Sequence, residues 1–310
     1  MKSFLVCLYL CINSISCINI LNKSDNEAQN LRAGFFDFLF GDQSTKVETC
    51  KCKCGVPNRR QRLLGGTDLK PYEFPWIGQI MIKDSAPIEA TLINDRFVIT
   101  AASTIYGYSP YNMKVVLGVY DNCYADITSD TFSVSSLIIH PEFQYITRTN
   151  DIALVRLSTV VPFEKRISPI CLPTPKMNYE RKVATIASWF EGVTSDGYET
   201  SSCQPRRIDL PIGEHESCTK ATQESQGCVG VVGSPSILCR DDAGSGVLYG
   251  TSAGYYELIG ILSDYQSCAA ASLHTAPKDD DLSLPIYTKV DSYLEWILFQ
   301  TKGSCYCNKI

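Results

Sequence analysis

The sequence predicts an all-β fold, a barrel or sandwich, on three observations. Short apolar and β-branched runs recur with turn residues between them, only one stretch near the end has helical spacing, and internal repeats are absent. In order, the runs are Thr91 to Thr100, Phe132 to His140, Ile152 to Leu157, Val183 to Trp189, Val247 to Thr251, Leu258 to Ser263 and Ile286 to Val290. The closing helix is expected where Ser292 and Glu295 form a capping-box pair and Tyr293, Trp296, Ile297 and Phe299 supply spaced apolar groups. With 45% apolar residues in 310, the chain can bury one large core or two small ones.

Met1-Lys2 followed by the apolar run Phe4 to Leu10 and a thinner stretch to Ser16 reads as a secretory signal peptide over 1–17. No later stretch is apolar for long enough to span a bilayer. Of the 15 cysteines, Cys7, Cys11 and Cys17 fall in that leader, and the remaining twelve are an even number suited to an oxidising compartment. The chain is therefore expected to be secreted and extracellular. With three histidines and no repeated ligand pairs at finger spacing, neither a metal nor a cofactor is expected. A net charge of -5 leaves no broad basic field for nucleic acid or an anionic membrane.

Residues 18–62 read as a pro-segment and linker carrying Cys50, Cys52 and Cys54. The apolar patch Phe35 to Phe40 suits a docking element or simple packing equally, and Asn22-Lys23-Ser24 is a glycosylation sequon of the kind that also arises by chance. Arg59-x-x-Arg62 ahead of Leu63-Leu64 and the flexible pair Gly65-Gly66 suggests processing between Arg62 and Leu63.

Several motifs then occur together. Leu63-Leu64-Gly65-Gly66, Pro75-Trp76, Val98-Ile99-Thr100-Ala101-Ala102, Asn150-Asp151-Ile152-Ala153-Leu154, Pro169-Ile170-Cys171-Leu172-Pro173, Pro285-Ile286-Tyr287-Thr288-Lys289-Val290 and Trp296-Ile297 follow in one order. Across roughly residues 63 to 300 the chain resembles the trypsin/chymotrypsin-type serine proteases. The resemblance implies two six-stranded antiparallel β-barrels with a C-terminal α-helix, in a domain placed at 63–301 ahead of a Cys-containing tail at 302–310.

The resemblance also assigns roles. The family's reaction needs a serine to attack, a histidine to take its proton and a buried aspartate to orient the histidine. After Thr100-Ala101-Ala102, where the family has the histidine, this chain has Ser103, whose hydroxyl has no usable basicity near neutral pH. In Cys239-Arg240-Asp241-Asp242-Ala243-Gly244-Ser245-Gly246, Ala243 takes the nucleophile's place, and Asp241 stands where a glycine supplies an oxyanion-hole amide. Only Asp151 of the triad remains. Losing the serine or the histidine alone costs on the order of 10⁶ in turnover in an enzyme with this chemistry. His140, in a His-Pro turn, and His215 and His274, in polar stretches, read as surface or turn residues. Ser245, two residues from the vacant position, competes as a displaced nucleophile, but such a shift far exceeds the ~0.5 Å tolerance of catalytic positioning.

The expected cleft departs as well. Ile237 falls where trypsin-like members carry the pocket aspartate, and Asp264-Tyr265 replaces a Trp-Gly pair, with Tyr265 obstructing the substrate track. Family bridges carried over are Cys54–Cys171, Cys218–Cys228 and Cys239–Cys268. Cys123 and Cys203 occur together in some members, and Cys50 and Cys52 are candidates to bond with Cys305 and Cys307, with connectivity left open. Asp242 is the residue that in the family pairs with the amino terminus released by activation, which here is Leu63. The resulting expectation is a pseudoenzyme that binds extracellular proteins, active proteases or their substrates among them. The competing expectation is a hydrolase with a displaced nucleophile. Oligomeric state has no signal in the sequence.

Overall fold

The structure is a computed structural model that describes residues 48–58, 69–83, 85–123, 129–189, 191–193, 199–231, 238, 242–264 and 284–309. All of them lie in one unit, Val47–Ile310. The signal segment, Asn22, Arg62, Leu63, Ile237, Cys239, Asp241, Tyr265, Cys268 and His274 lie outside the described residues, as does the side chain of Asp264.

The first sheet is a closed barrel of β2 (Ile77–Ile82), β3 (Ile88–Leu92), β4 (Phe97–Thr100), β5 (Met113–Leu117), β6 (Asp130–Ile139) and β7 (Ala153–Leu157), in the order β2-β3-β4-β7-β6-β5. Alternation sets its inner face: Met113, Val115 and Leu117 point inward on β5, while Lys114 stays exposed. Trp76, Ile80, Leu92, Ile99 and Leu154 fill the interior. The run Thr91 to Thr100, read from sequence as one segment, is interrupted by a turn at Asn94, whose Oδ1 accepts hydrogen bonds from the amides of Arg96 (2.9 Å) and Phe97 (2.8 Å). Asparagine favours such a turn because its side chain satisfies the backbone two and three residues on.

The second sheet contains β8 (Val183–Ser188), β11 (Arg206–Pro211), β12 (Gln226–Cys228), β13 (Gly246–Gly250), β14 (Tyr256–Asp264) and β15 (Ile286–Lys289), in the order β11-β8-β13-β14-β15-β12. It rolls until its two end strands meet at a single bridge, Ile212 with Val229. Gly213 N donates to Cys228 O (2.9 Å) and Gly230 N to Pro211 O (2.9 Å) beside it. Pro211 sits at the end of an edge strand, where a missing donor costs no ladder bond. A separate short hairpin joins β9 (Glu191–Val193) to β10 (Glu199–Ser201).

Two helices are present among the described residues. The one-turn α1 (Ala102–Ile105) follows β4 directly, and α2 (Leu294–Gln300) closes the fold after a 3₁₀ turn, Val290–Tyr293. The expected capping box at Ser292 and Glu295 does not form. Tyr293 occupies the cap without a side-chain capping bond, and the 3₁₀ turn runs straight into the helix, which leaves no separate cap position for Ser292. Phe299 is also exposed, with Lys302 Nζ 4.5 Å from its ring centre. No helix among the described residues is long and apolar enough to cross a membrane.

Beyond α2, β16 (Cys305–Asn308) pairs in parallel with β1 (Glu48–Lys53). Cys50–Cys305 and Cys52–Cys307 staple this pair, and Cys54 bonds Cys171 on the main body. Cys305 N donates to Asp95 Oδ1 (3.0 Å), and Lys309 forms an ion pair with Glu257. Glu257 is buried, and Thr174 Oγ1 (2.7 Å) and Tyr179 OH (2.8 Å) also donate to it, so these partners offset desolvation and hold its carboxyl below the usual range. Linker and tail, which are remote in sequence, thus form one clasp. The remaining described bridges are Cys123–Cys203 and Cys218–Cys228.

Candidate functional site

Where β4 of the first barrel ends, Ala101 and Ala102 are fully buried, and their small side chains let α1 turn tightly inward. That turn carries Ser103 to Asp151, which lies just ahead of β7. Ser103 N donates to Asp151 Oδ1 (2.7 Å), and Ser103 Oγ donates to Oδ2 (2.8 Å). From the end of β14, Ser263 Oγ donates to the same Oδ2 (2.6 Å), and Thr288 Oγ1 donates to the Asp151 carbonyl (3.1 Å). Both carboxylate oxygens are therefore bonded by described residues, and none of those donors is an imidazole.

Burial raises the Asp151 carboxyl above its ordinary range, while the hydrogen bonds from Ser263 and Ser103 and the charge of Arg148 act in the opposite direction. Histidine does not join this group among the described residues. His140 packs its ring 5.1 Å from those of Tyr293 and Trp296, where burial lowers its basicity, and His215 lies in an exposed 3₁₀ turn.

The second half of the site is the turn Asp242–Ser245, held by Ser245 N donating to Asp242 O (3.1 Å) and Gly244 N to Leu262 O (2.9 Å). Gly244 has φ +92°, and a Cβ there would press on the Glu89 carbonyl oxygen at 2.5 Å and on the Thr100 hydroxyl. The turn thus packs against the first barrel close to Thr100, three residues before Ser103. Ala243 offers only a methyl group, 3% exposed. Ser245 Oγ is buried, with no hydrogen-bond partner among the described residues. It meets no base among the described residues, and it is shut away from solvent.

A second buried group that sequence reading missed lies under this turn. Glu89, on β3, accepts from Gln79 Nε2 (3.4 Å), and burial together with the neighbouring Asp242 charge pushes its carboxyl up to about 8 despite that bond and others from Ser188 and Trp189. The signal was present, because Gln79 and Glu89 are polar residues inside otherwise apolar strands, Ile-Gly-Gln-Ile and Ile-Glu-Ala-Thr-Leu. Ser263 went unrecognised because it ends an apolar run with nothing to mark its partner 112 positions away.

With the geometry in place, comparison with known proteins is specific. The Trypsin family model matches residues 63–297. A proclotting enzyme of Tachypleus tridentatus is 30% identical over 79% of this chain and 68% of its own length. Vitamin K-dependent protein C of Mus musculus is 30% identical over 76% and 51%. Inactive CLIP domain-containing serine protease A8 of Anopheles gambiae is 27% identical over 84% and 74%. A family match over three quarters of the chain, on a closed barrel and a rolled second sheet, settles membership: the chain belongs to the trypsin family of serine proteases.

Proposed function

We propose that this protein is a secreted, catalytically inactive serine protease homologue that acts by binding other extracellular proteins. It would serve as a cofactor, regulator or decoy in a protease cascade or a secreted body fluid, whether immune, reproductive or venom. One observation carries the reading: the Asp151 carboxylate is bonded by Ser103 and Ser263, where triad chemistry needs an imidazole. Ala243, with no nucleophilic atom, supports it. The similar protein of Anopheles gambiae named inactive CLIP domain-containing serine protease A8 also supports it. The displaced-nucleophile alternative loses ground because the Ser245 hydroxyl is shut away from solvent.

The test is hydrolysis of a mixed peptide pool by purified protein, before and after cleavage at Arg62-Leu63 verified by amino-terminal sequencing, beside a trypsin control. No turnover above background in either form is expected. Turnover that co-purifies with the cleaved form and is lost in Ser245→Ala or Ser103→Ala would overturn the reading.

Restoring the two lost groups should not revive the enzyme. Ser103→His with Ala243→Ser is expected to stay at least a thousandfold below trypsin on the same pool, because Asp241 and Asp264-Tyr265 still stand at the sequence positions where the family has its oxyanion-hole glycine and its Trp-Gly pair. Turnover within tenfold of trypsin would show instead that the cleft is sound.

Processing should leave the two chains joined through the clasp. Cys50–Cys305, Cys52–Cys307 and Cys54–Cys171 all cross the Arg62-Leu63 bond. Cleaved Cys54→Ser/Cys171→Ser protein should therefore migrate as one species on a non-reducing gel and as two after reduction. Two species without reductant would show that the clasp does not form.

A further inference from the structure

The two sheets meet along a tight seam. Ala187, Leu248, Leu258 and Ile261 of the second sheet share one apolar cluster with Ile80, Leu92 and Ile99 of the first barrel. The turn Asp242–Ser245 and the start of β13 lie directly on β3. A Cβ at Gly244 would sit 2.5 Å from the Glu89 carbonyl oxygen, and one at Gly246 would sit 2.8 Å from Thr91 Oγ1. Neither place has room for a side chain between turn and strand.

Two acids from opposite sides of the seam are enclosed there. Glu89, on β3, is 5% exposed, and Asp242, on the turn, is 2% exposed. Against the Glu89 carboxyl, β2 supplies Gln79 Nε2 (3.4 Å), while β8 and the residue after it supply the Ser188 side chain and the Trp189 backbone. From β4, the Thr100 hydroxyl donates to the Glu89 carbonyl (2.7 Å). Asp242 is the only charged group among these neighbours, and it repels a second negative charge. Releasing the Glu89 proton would put that second charge into an apolar seam too tight for water. Hydration then requires the turn to come away from β3.

We propose that Glu89 and Asp242 form a proton-controlled latch between the two barrels. While Glu89 holds its proton, the turn Asp242–Ser245 lies flat on β3. When the proton passes to solvent, the turn lifts and water reaches both carboxylates. Ala243 rides on that turn and Ser103 follows Thr100 on the opposite side, so the latch sets how the two halves of the candidate site face each other. Its direction follows from linkage: the Glu89 carboxyl is raised to about 8 in the closed seam and returns towards the ordinary 4.5 once hydrated. The latch is therefore firmest below about pH 4.5, weakens as pH rises towards about 8 and changes no further above that. This device is independent of whether the chain binds or cuts, so it stands or falls apart from the peptide-pool test.

The experiment is residue-resolved amide hydrogen exchange on the intact, uncleaved chain, expressed as protection factors across a pH series. Two amides report the seam: Trp189, whose backbone bonds Glu89, and Ser245, which closes the turn on the Asp242 carbonyl (3.1 Å). Their protection should fall about tenfold per pH unit between about pH 5.5 and 7.5, one proton being released on opening, and level off above about 8. In Glu89→Gln it should stay flat across the series. In Asp242→Asn the levelling should come at lower pH, because the charge that raises Glu89 is gone. Flat protection in the wild type, the same fall in Glu89→Gln, or levelling unmoved in Asp242→Asn would each overturn the proposal. So would Trp189 and Ser245 exchanging no faster than the slowest amides of the first barrel, because that is unfolding of the whole chain rather than a latch.

Discussion

Replacing Glu89 with glutamine should stabilise the protein at pH 8 while leaving it nearly unchanged at pH 4.5. In the folded state Glu89 keeps its proton up to about pH 8, because it is buried and lies beside Asp242. In the unfolded chain it releases that proton near 4.5, the ordinary value. Folding therefore takes up a proton throughout that window. Glu89's contribution is fully present below pH 4.5 and is lost progressively as pH rises through about 8, above which it levels off. A shift of that size corresponds to a swing of up to about 5 kcal/mol, reduced by whatever relaxation admits water. Glutamine keeps the shape, and has no proton to lose.

Denaturant midpoints for the two proteins should thus diverge steadily from pH 4.5 to 8. A gap that is constant across this range would show that Glu89 is ionised throughout. Cleavage that delivers the Leu63 amino group to Asp242 should shrink the divergence, because a cation beside the pair favours the charged form of Glu89.

Asp151→Ala should be strongly destabilising even though the account gives Asp151 no reaction to support. The carboxylate accepts from three donors on two elements: the amide and hydroxyl of Ser103 on α1, and the hydroxyl of Ser263 at the end of β14. Truncation leaves these donors without their acceptor in a site that is 0% exposed at Asp151, and each such orphan costs about 1–3 kcal/mol. Relief of the buried charge offsets part of this, so a net loss of about 2–4 kcal/mol is expected. At roughly 2–4 °C per kcal/mol for a domain of this size, the thermal midpoint should fall by about 5–15 °C. Scanning calorimetry decides the point. A midpoint within 2 °C of wild type would mean that the bracket bears no load.

How much of this could be read in advance depended on whether the signal was local. Ala243 and Ser103 were visible because each sits inside a motif whose flanks, Asp242 and Gly244 or Ala101 and Ala102, remain intact. The run from Phe132 was visible because burial on one face imposes alternation, with Phe132 and Val134 buried on β6 and Thr131 and Ser133 exposed. By contrast, Ser263 donating to Asp151 and Lys309 pairing with Glu257 join residues 112 and 52 positions apart, and nothing in either neighbourhood names its partner. The helix start was misread for a related reason. Ser292 and Glu295 have capping-box spacing, but Ser292 lies inside the 3₁₀ turn that leads into the helix, so it is not at the cap. The break at Asn94 was missed because apolar residues on both sides of the turn are buried in the same barrel.

The central claim, that this trypsin-family chain binds without cutting, is tested most directly by fluorophosphonate labelling of the purified protein, followed by mass analysis of the labelled site. Measurements on the intact chain and on the form cleaved after Arg62, beside trypsin, should show no adduct on either form while trypsin labels to completion. A stoichiometric adduct at Ser245 or Ser103 that appears only after cleavage would contradict the account, because it would require an activated hydroxyl where the structure places a buried, unassisted one and a hydroxyl bound to Asp151.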